Sequence, residues 1–426
     1  MQTYDSYKDS GEQWLGKIPS HWEMKRWRFL LEENVTQNTD CSVTKQLQFK
    51  YGEIVEKNNQ NVDEDVAKTI SKYTLVKPND IMINGLNLNY DFISQRVGMV
   101  REEGVITSAY ISLRPTSIVN HKYINYLLKA MDARKLFHGM GTGVRLTLSY
   151  KELKNKFLPV PTLDEQNRMV AYLDEQTSQI DEAIAQQQKM IDLLNERKQI
   201  IINEAVTKGL NPNIKMKNSG VDWIGEIPEH WNVIKTSYVF TRIGSGTTPK
   251  SGQEDYYSEE GTYFLQTGDL NDGYIENTTK RITSKALKDT NLKLYSKGSL
   301  VIAMYGATIG KLGILNIDTT VNQACCVLSE CDTMFTKYAF YLFAIAKNDL
   351  ILQSRGGGQP NISQDTIRNE KLIVPPYEEQ KEIAYFIDEE IIPISYAITN
   401  AEKQIIALQE RKQIIINEVV TGKFKV

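Results

Sequence analysis

The nine residues Glu196–Glu204, reading Glu-Arg-Lys-Gln-Ile-Ile-Ile-Asn-Glu, recur without a change 214 positions later as Glu410–Glu418. A repeat of that length and fidelity means that one structural unit is written twice, so the fold must solve the same packing problem in both halves. A second repeat agrees: Ser10–Trp22 returns as Ser219–Trp231 with eight of its thirteen positions identical. Its offset is 209, so the length difference between the halves falls inside the globular stretches. The 426 residues therefore divide into a globular stretch 1–158, a helical segment 159–208, a second globular stretch 209–373 and a second helical segment 374–426.

Each helical segment opens on a break and continues as a narrow apolar seam. Pro159-Val160-Pro161 ends the first globular stretch, and Thr162-Leu163-Asp164-Glu165 has the spacing of a capping box, in which hydroxyl and carboxylate satisfy free amides of a starting helix. Steps of four and three then give Leu173, Thr177, Ile180, Ile184, Gln187, Ile191, Leu194, Lys198, Ile201 and Ala205, a stripe that suits a coiled coil better than a broad core face. From Asp164 to Thr207 such a helix is ~65 Å long at ~1.5 Å per residue, far beyond an ordinary domain helix. The second segment follows Val374-Pro375-Pro376 and repeats the seam as Ile387, Ile391, Ile394, Ile398, Ala401, Ile405, Leu408, Lys412, Ile415 and Val419. Pro393 lies inside it and, lacking an amide hydrogen, predicts a kink or a restart there. Helices with matching seams bury them most economically against each other. The expectation is an antiparallel coiled coil with an internal pseudo-twofold repeat, holding two globular domains apart.

The globular stretches read as mixed α and β, an α+β fold. In the first, Asp80–Ile83, Arg96–Val100 and Ala109–Leu113 are short runs bounded by turn formers, hence strands, while His121–Phe137 carries apolar residues at helical spacing. In the second, Ser299–Tyr305 and Leu312–Ile317 are strand-like. The repeated Trp-containing lead-in, punctuated by Gly and Pro, reads as a turn segment clamped onto each domain, with His21 and His230 as packing residues rather than catalysts.

A net charge of −3 excludes a uniformly basic nucleic-acid binder, but the average hides a gradient. Residues 1–158 hold 22 Lys and Arg against 18 Asp and Glu, whereas 159–208 hold 5 against 9. Cys41, Cys325, Cys326 and Cys331 lack the paired spacing of a zinc site or a disulfide framework, and no apolar run is long enough to span a bilayer. A reducing cytoplasm is the expected home.

Catalytic signatures are incomplete. Val374-Pro375-Pro376-Tyr377 has the Pro-Pro-Tyr core of the tetrapeptide with which amino-methyltransferases hold a base, but Val374 stands where a polar acceptor for the exocyclic amine is required. Gly306–Leu312 is one residue short between its glycines for a phosphate-binding loop, and Leu312 replaces the magnesium-binding hydroxyl. What remains in the second stretch is a set of polar side chains near glycines: Thr247, Thr248, Lys250, Gln266, Lys311, Asn322, Gln323, Arg355, Gln359 and Asn361. Asn, Gln, Arg and Lys match the donor and acceptor patterns of base edges, and glycines admit backbone amides to phosphates. In the first stretch Lys45, Gln48, Lys50, Asn87, Arg96 and Arg145 are selected on the same chemistry. On the helices, Glu196, Arg197, Gln199 and Asn203, with Glu410, Arg411, Gln413 and Asn417, form a doubled polar surface suited to two copies of one partner.

Taken together, the lead-in Trp-x-Gly-x-Ile-Pro-x-His-Trp, the loops Gly246–Lys250, Tyr305–Lys311 and Gly356–Ser363, and the order domain, helix, domain, helix resemble the specificity subunits of type I restriction-modification enzymes. The resemblance implies two target-recognition domains, each reading one half of an interrupted double-stranded DNA sequence. It implies that the helices space them and dock two methyltransferase subunits, with motor-nuclease subunits joining for cleavage. It implies a non-catalytic chain without a cofactor of its own, S-adenosylmethionine, ATP and magnesium residing on the partners. The first half departs from the pattern: Gly141–Leu146 lacks the Gln-Pro-Asn of the second, and Asn84–Phe92 stands in place of the Gly-rich Lys turn. Read from its residues alone, the chain also fits a cytoplasmic coiled-coil adaptor that binds proteins and no DNA.

Overall fold

The computed structural model describes residues 3–57, 69–88, 95–143, 146–250, 252–353 and 361–426. The chain forms two compact units, one of Met1–Gln188 with Glu402–Val426 and one of Lys189–Ala401. Each unit holds one globular domain and a stretch of each long helix. We label the four principal helices α1 (His121–Ala133), α2 (Leu163–Lys208), α3 (Thr336–Leu352) and α4 (Tyr377–Val420).

In the first unit Tyr7–Asp9 pairs antiparallel with Lys17–Pro19, and Glu23–Arg26 pairs antiparallel with Phe157–Val160. The second pairing joins the start of the domain to its end, beside the first turn of α2. Between them lies a four-stranded antiparallel sheet in the order Leu31–Glu33, Ile111–Pro115, Ile81–Ile83, Val97–Met99. Two smaller antiparallel pairs complete the domain, Leu47–Lys50 with Glu53–Glu56 and Thr74–Val76 with Gly104–Ile106. Asn120 caps α1 by accepting from the amides of Lys122 and Tyr123. Tyr123, Leu127 and Ala130 then share one core with Ile81, Ile83, Val97, Ile111 and Leu113. The helix ends four residues earlier than its apolar spacing predicts, because Lys135 adopts φ 56° and a 3₁₀ turn, Leu136–Met140, follows.

The second unit repeats this plan. Met216–Asn218 pairs with Glu226–Pro228, and Asn232–Lys235 with Lys371–Val374, both antiparallel. A five-stranded sheet runs in the order Arg242–Ser245, Cys325–Ser329, Leu300–Ala303, Leu312–Leu315, Gly273–Ile275. Its first four strands keep the order of the first unit's sheet, and the added fifth is parallel to its neighbour. A three-stranded sheet, Lys280–Ile282, Tyr257–Leu265, Thr319–Val321, lies beside it, and α3 packs on the larger sheet.

The seams are where the sequence places them. Leu173, Thr177, Ile180, Ile191 and Ala205 on α2 are buried, as are Ile387, Ile394, Ala401 and Val419 on α4, and the other seam positions are half-buried. Within the first unit Asp181 of α2 grips Lys412 of α4 at 2.6–2.7 Å. Met169 and Leu173, earlier on α2, share a core with Ile416, Val419 and Val420, later on α4, so the two stretches run antiparallel. The second unit shows the same sense, with Ile202, Ala205 and Val206 in one core with Ile383, Ala384 and Ile387. The capping box forms as expected: the Thr162 amide donates to Glu165 at 3.2 Å and the Glu165 amide to the Thr162 hydroxyl at 3.3 Å.

Of the two outcomes expected at Pro393, the restart requires a correction. Helix α4 neither ends nor restarts there, and Pro393 is exposed. Its missing amide bond leaves a carbonyl one turn back on the solvent side, where water can satisfy it, while the seam side keeps its ladder. An interior proline still costs the helix relative to alanine, so Pro393→Ala is expected to raise stability by ~1–3 kcal/mol in urea unfolding. A stability unchanged or lowered would show that the proline is matched by compensation elsewhere in the helix.

Candidate nucleic-acid interface

Strand directions in the second unit bring its polar loops to one end of the domain. Arg242–Ser245 ends beside the start of Cys325–Ser329, with Ser245 opposite Cys326, and Leu300–Ala303 ends on that strand's other side, with Ala303 opposite Cys325. Tyr263–Leu265 and Thr319–Val321 run parallel, so Gln266 and Asn322 emerge together. The loops are then tied to one another. Gly246 donates its amide to the Asn322 carbonyl at 3.2 Å, and Asn322 donates its own amide to the Leu265 carbonyl at 3.0 Å. The side chains of Thr248 and Gln323 are hydrogen-bonded, the Tyr305 hydroxyl donates to the Gln323 carbonyl at 2.7 Å, and Tyr305 forms a β-bridge with Asn361.

Thr247, Thr248, Gln266, Gln323 and Asn361 thus gather at one surface, with Lys250 exposed farther along the first loop. Lys311 closes the turn that leaves the same sheet end, its carbonyl accepting from the Ala303 amide at 2.9 Å. Asn322 differs from the expectation, because it is buried and its side chain accepts from the Ala324 amide at 3.1 Å. It shapes the loops rather than facing a ligand. Arg355 and Gln359 lie outside the described residues.

The first unit offers the same sheet end, but only part of the expected set is there. Gln46 bridges Val105 in parallel as Phe264 pairs with Thr320, which puts Gln48 in the position of Gln266. Asn87 sits exposed in the turn that leaves Ile81–Ile83. Arg145 lies outside the described residues. Lys45 is held by Glu102 and, at 3.5 Å, by Glu56, and the bond to Glu102 raises its pKa. Lys50 is at the opposite, turn end of the Leu47–Glu56 hairpin.

Arg96 is a correction. It is buried, and its guanidinium donates to the carbonyls of Asn84, Leu86 and Asn87 at 2.9, 2.7 and 3.2 Å, so it holds that turn from inside. Sequence reading passed over Thr107 and Ser108, the counterparts of Asn322 and Gln323. The Thr107 hydroxyl accepts from the Ala109 amide at 3.4 Å, as Asn322 accepts from Ala324. The available signal was the alignment of Thr107-Ser108-Ala109 with Asn322-Gln323-Ala324 at an offset of 215.

A second group of residues missed in the sequence fastens each long helix to its own domain. Gln166 is fully buried, donates to the Pro161 carbonyl at 2.9 Å and accepts from the Asn120 amide at 2.7 Å. Gln380, 214 positions on and equally buried, donates to the carbonyls of Thr333 and Pro375 at 2.9 Å each and accepts from the Phe335 amide at 2.7 Å. His21 and His230 belong here too. They pack beside aromatic rings as expected and, about half exposed, also place Nε2 at 2.8 Å from Glu165 and 2.9 Å from Glu379.

Burial opposes ionisation of Glu165, but the His21 ring and the Thr162 amide and hydroxyl outweigh it, so its pKa is lowered. A carboxyl shifted this way contributes stability that is present above its unfolded pKa of ~4.3 and is lost as pH falls through the lower folded value. Glu165→Gln is therefore expected to flatten the acid side of the stability curve below about pH 5, read by circular dichroism. An unchanged acid limb would remove Glu165 from the latch.

On the helices Glu196, Arg197, Gln199 and Asn203 are exposed in the second unit, and Glu410, Arg411 and Gln413 in the first, while Asn417 is half-buried. Burial pushes the Cys326 thiol up to about 12 and Cys325 higher still, leaving both as inert apolar groups. Among the described residues no cluster of His, Cys, Asp and Glu could hold a metal ion, and no helix is long and apolar enough to cross a membrane.

Residues 228–406 match the family described as Type I restriction modification DNA specificity domain. The chain is 26% identical over 424 residues to the type I restriction enzyme MjaVIII specificity subunit of Methanocaldococcus jannaschii, spanning 96% of this chain and 94% of that one. It is 26% identical over 432 residues to the putative type I restriction enzyme MjaX specificity subunit of the same organism, spanning 97% and 96%. A solved chain described as "Structural basis underlying complex assembly and conformational transition of the type I R-M system" superposes with a TM-score of 0.72 at 15% identity, over 96% of this chain and 99% of that one. That last likeness is one of fold.

Proposed function

We propose that this chain, which belongs with the type I restriction-modification specificity subunits, is a non-catalytic reader of an interrupted DNA sequence, each globular domain contacting one half-site. The observation that carries this reading is the contrast within the repeat. The residues that seat each helix on its domain recur in type, Glu165 and Gln166 at an offset of 214 and His21 at 209, whereas the loops gathered at the equivalent sheet end differ in sequence between the units. Two domains built alike but tipped differently are what two dissimilar half-sites require. The polar side chains at each tip supply base-edge donors and acceptors, and nearby Lys250 and Lys311 supply phosphate contacts.

In this reading the doubled helix surface around Glu196–Glu204 and Glu410–Glu418 receives two methyltransferase subunits, and motor-nuclease subunits add to that assembly in the cytoplasm. S-adenosylmethionine, ATP and magnesium act on those partners. The test is a mobility-shift titration of the chain with its methyltransferase partner, using the bipartite sequence read from the genomic methylation pattern. Binding to that duplex is expected to exceed binding to either half-site scrambled by ~1–3 kcal/mol per altered base pair. Equal affinity for scrambled duplexes would overturn the reading.

A further inference from the structure

The repeated nonapeptide lines a cavity that occurs once in each unit. In the second unit a cavity of about 410 Å³ is walled by Lys198, Gln199 and Ile202 of α2, Asp388 of α4, and Lys337 and Tyr341 of α3. In the first unit a cavity of about 400 Å³ is walled by Lys412, Gln413 and Ile416 of α4, Asp174 of α2, and Lys122 and Tyr126 of α1. The long-helix positions correspond at an offset of 214 and the domain-helix positions at 215, so these are two copies of one site. One part of the lining is internally satisfied in both: Asp174 takes Lys122 at 2.6 Å and the Tyr126 hydroxyl at 2.8 Å, and Asp388 takes Lys337 and Tyr341.

The copies differ at the nonapeptide lysine. Lys412 is met by both carboxylate oxygens of Asp181, at 2.7 and 2.6 Å. The position equivalent to Asp181 in the second unit is Ser395, and among the described residues Lys198 has no carboxylate partner. A second lysine without one, Lys347 of α3, lines the same cavity, its stem laid against Gly310, where a Cβ would come within 2.8 Å of it. Asp272 also faces in, with one oxygen engaged by the Leu312 amide at 2.8 Å. Three lysines against two aspartates leave the site one positive charge in excess. Tyr274 and Phe340 give it an apolar wall.

We infer that the second-unit cavity is a receptor for a carboxylate on a short apolar body, taking at Lys198 and Lys347 the place that Asp181 takes at Lys412. A cavity of this size with a few convergent charges on an aromatic wall suits a small acid or one inserted acidic side chain. The first-unit copy needs no such ligand because the chain supplies its own. The inference is independent of the DNA reading, and its assay contains no DNA.

Two measurements separate the sources of the carboxylate. In calorimetry at fixed ionic strength, succinate titrated into the full chain is expected to bind saturably if the ligand is free. Lys198→Gln and Lys347→Gln then weaken binding at least tenfold, and Lys412→Gln leaves it unchanged. In carbodiimide coupling of the complex purified from cells, Lys198 or Lys347 is expected to form an amide with an Asp or Glu of another chain if the ligand is a side chain. The Lys412 to Asp181 amide is the internal standard for that reaction. If that amide forms, no interchain amide appears at Lys198 or Lys347, and Lys198→Gln binds succinate like the native chain, the inference fails.

Discussion

On the proposed reading, Gly246→Ala is expected to lower affinity for the half-site assigned to the second domain about 10- to 100-fold while leaving the other half-site's contribution unchanged. The backbone at Gly246 runs so close to the neighbouring strand that an ideal Cβ would stand 1.6 Å from the Val321 carbonyl oxygen. No side-chain rotation relieves a clash with backbone, so the loop must withdraw, and overpacking of this kind costs ~1–3 kcal/mol or more. The withdrawal breaks the Gly246 bond to the Asn322 carbonyl and separates Thr248 from Gln323. Those two loops carry most of the polar groups gathered at this tip, and a shift of about 1 Å is enough to misplace base-edge contacts worth ~1–3 kcal/mol each. Fluorescence anisotropy with duplexes altered in one half-site at a time reads the effect. Native affinity for both halves would show that the Gly246 and Asn322 loops do not form the reading surface.

Gln380→Leu is expected to destabilise the second unit by ~3–5 kcal/mol, and Gln166→Leu the first by ~2–4 kcal/mol. Leucine fits the volume but supplies neither donor nor acceptor. In the second unit the Phe335 amide and the carbonyls of Thr333 and Pro375 lose their partner, and in the first the Asn120 amide and the Pro161 carbonyl. Each buried group left unmet costs ~1–3 kcal/mol, partly offset by the apolar side chain gained. The order of the two effects follows from the three bonds at Gln380 against two at Gln166. Urea unfolding followed by circular dichroism checks it, and equal, small losses would assign the clamp to α3 and α4 packing instead. Because each glutamine joins a domain to the first turn of its long helix, the same variants are expected to loosen the geometry between each domain and that helix.

Residues buried by periodic pattern were legible in the chain. Much of the seams of α2 and α4 follows from steps of four and three, the spacing that keeps residues on one face of a helix, whereas near the helix ends burial moves to Ile202 and Val206 and to Ile416 and Val420. The capping box at Thr162 and Glu165 was legible for the same local reason. Pro393 was legible as a break in the hydrogen-bond ladder, but not that the helix runs on through it, because an exposed proline leaves its orphan carbonyl to water.

The polar positions were legible only in part. Arg96 and Asn322 have the chemistry of base readers, yet both are turned inward to hold loops, and nothing local distinguishes an arginine that meets three carbonyls from one that meets a guanine. Thr107 and Ser108 went unnoticed because small hydroxyls carry no signal alone, and their weak alignment with Asn322 and Gln323 gains meaning only once the strand pairing makes them counterparts. His21 and His230 were legible as packing residues, but not their hydrogen bonds to Glu165 and Glu379, which lie more than 140 residues away.

By itself the sequence determined that the protein is a duplicated pair of domains with two long helices, because an exact repeat and a helical seam are properties of spacing along the chain. Only the tertiary structure decided which polar residues face out, how the loops of the second domain converge, and that the nonapeptide's Lys198 and Lys412 line equivalent cavities with unequal partners. Those are properties of contacts between distant segments, and one substitution, Ser395 where the first half has Asp181, changes a satisfied lysine into an open one without altering any local pattern.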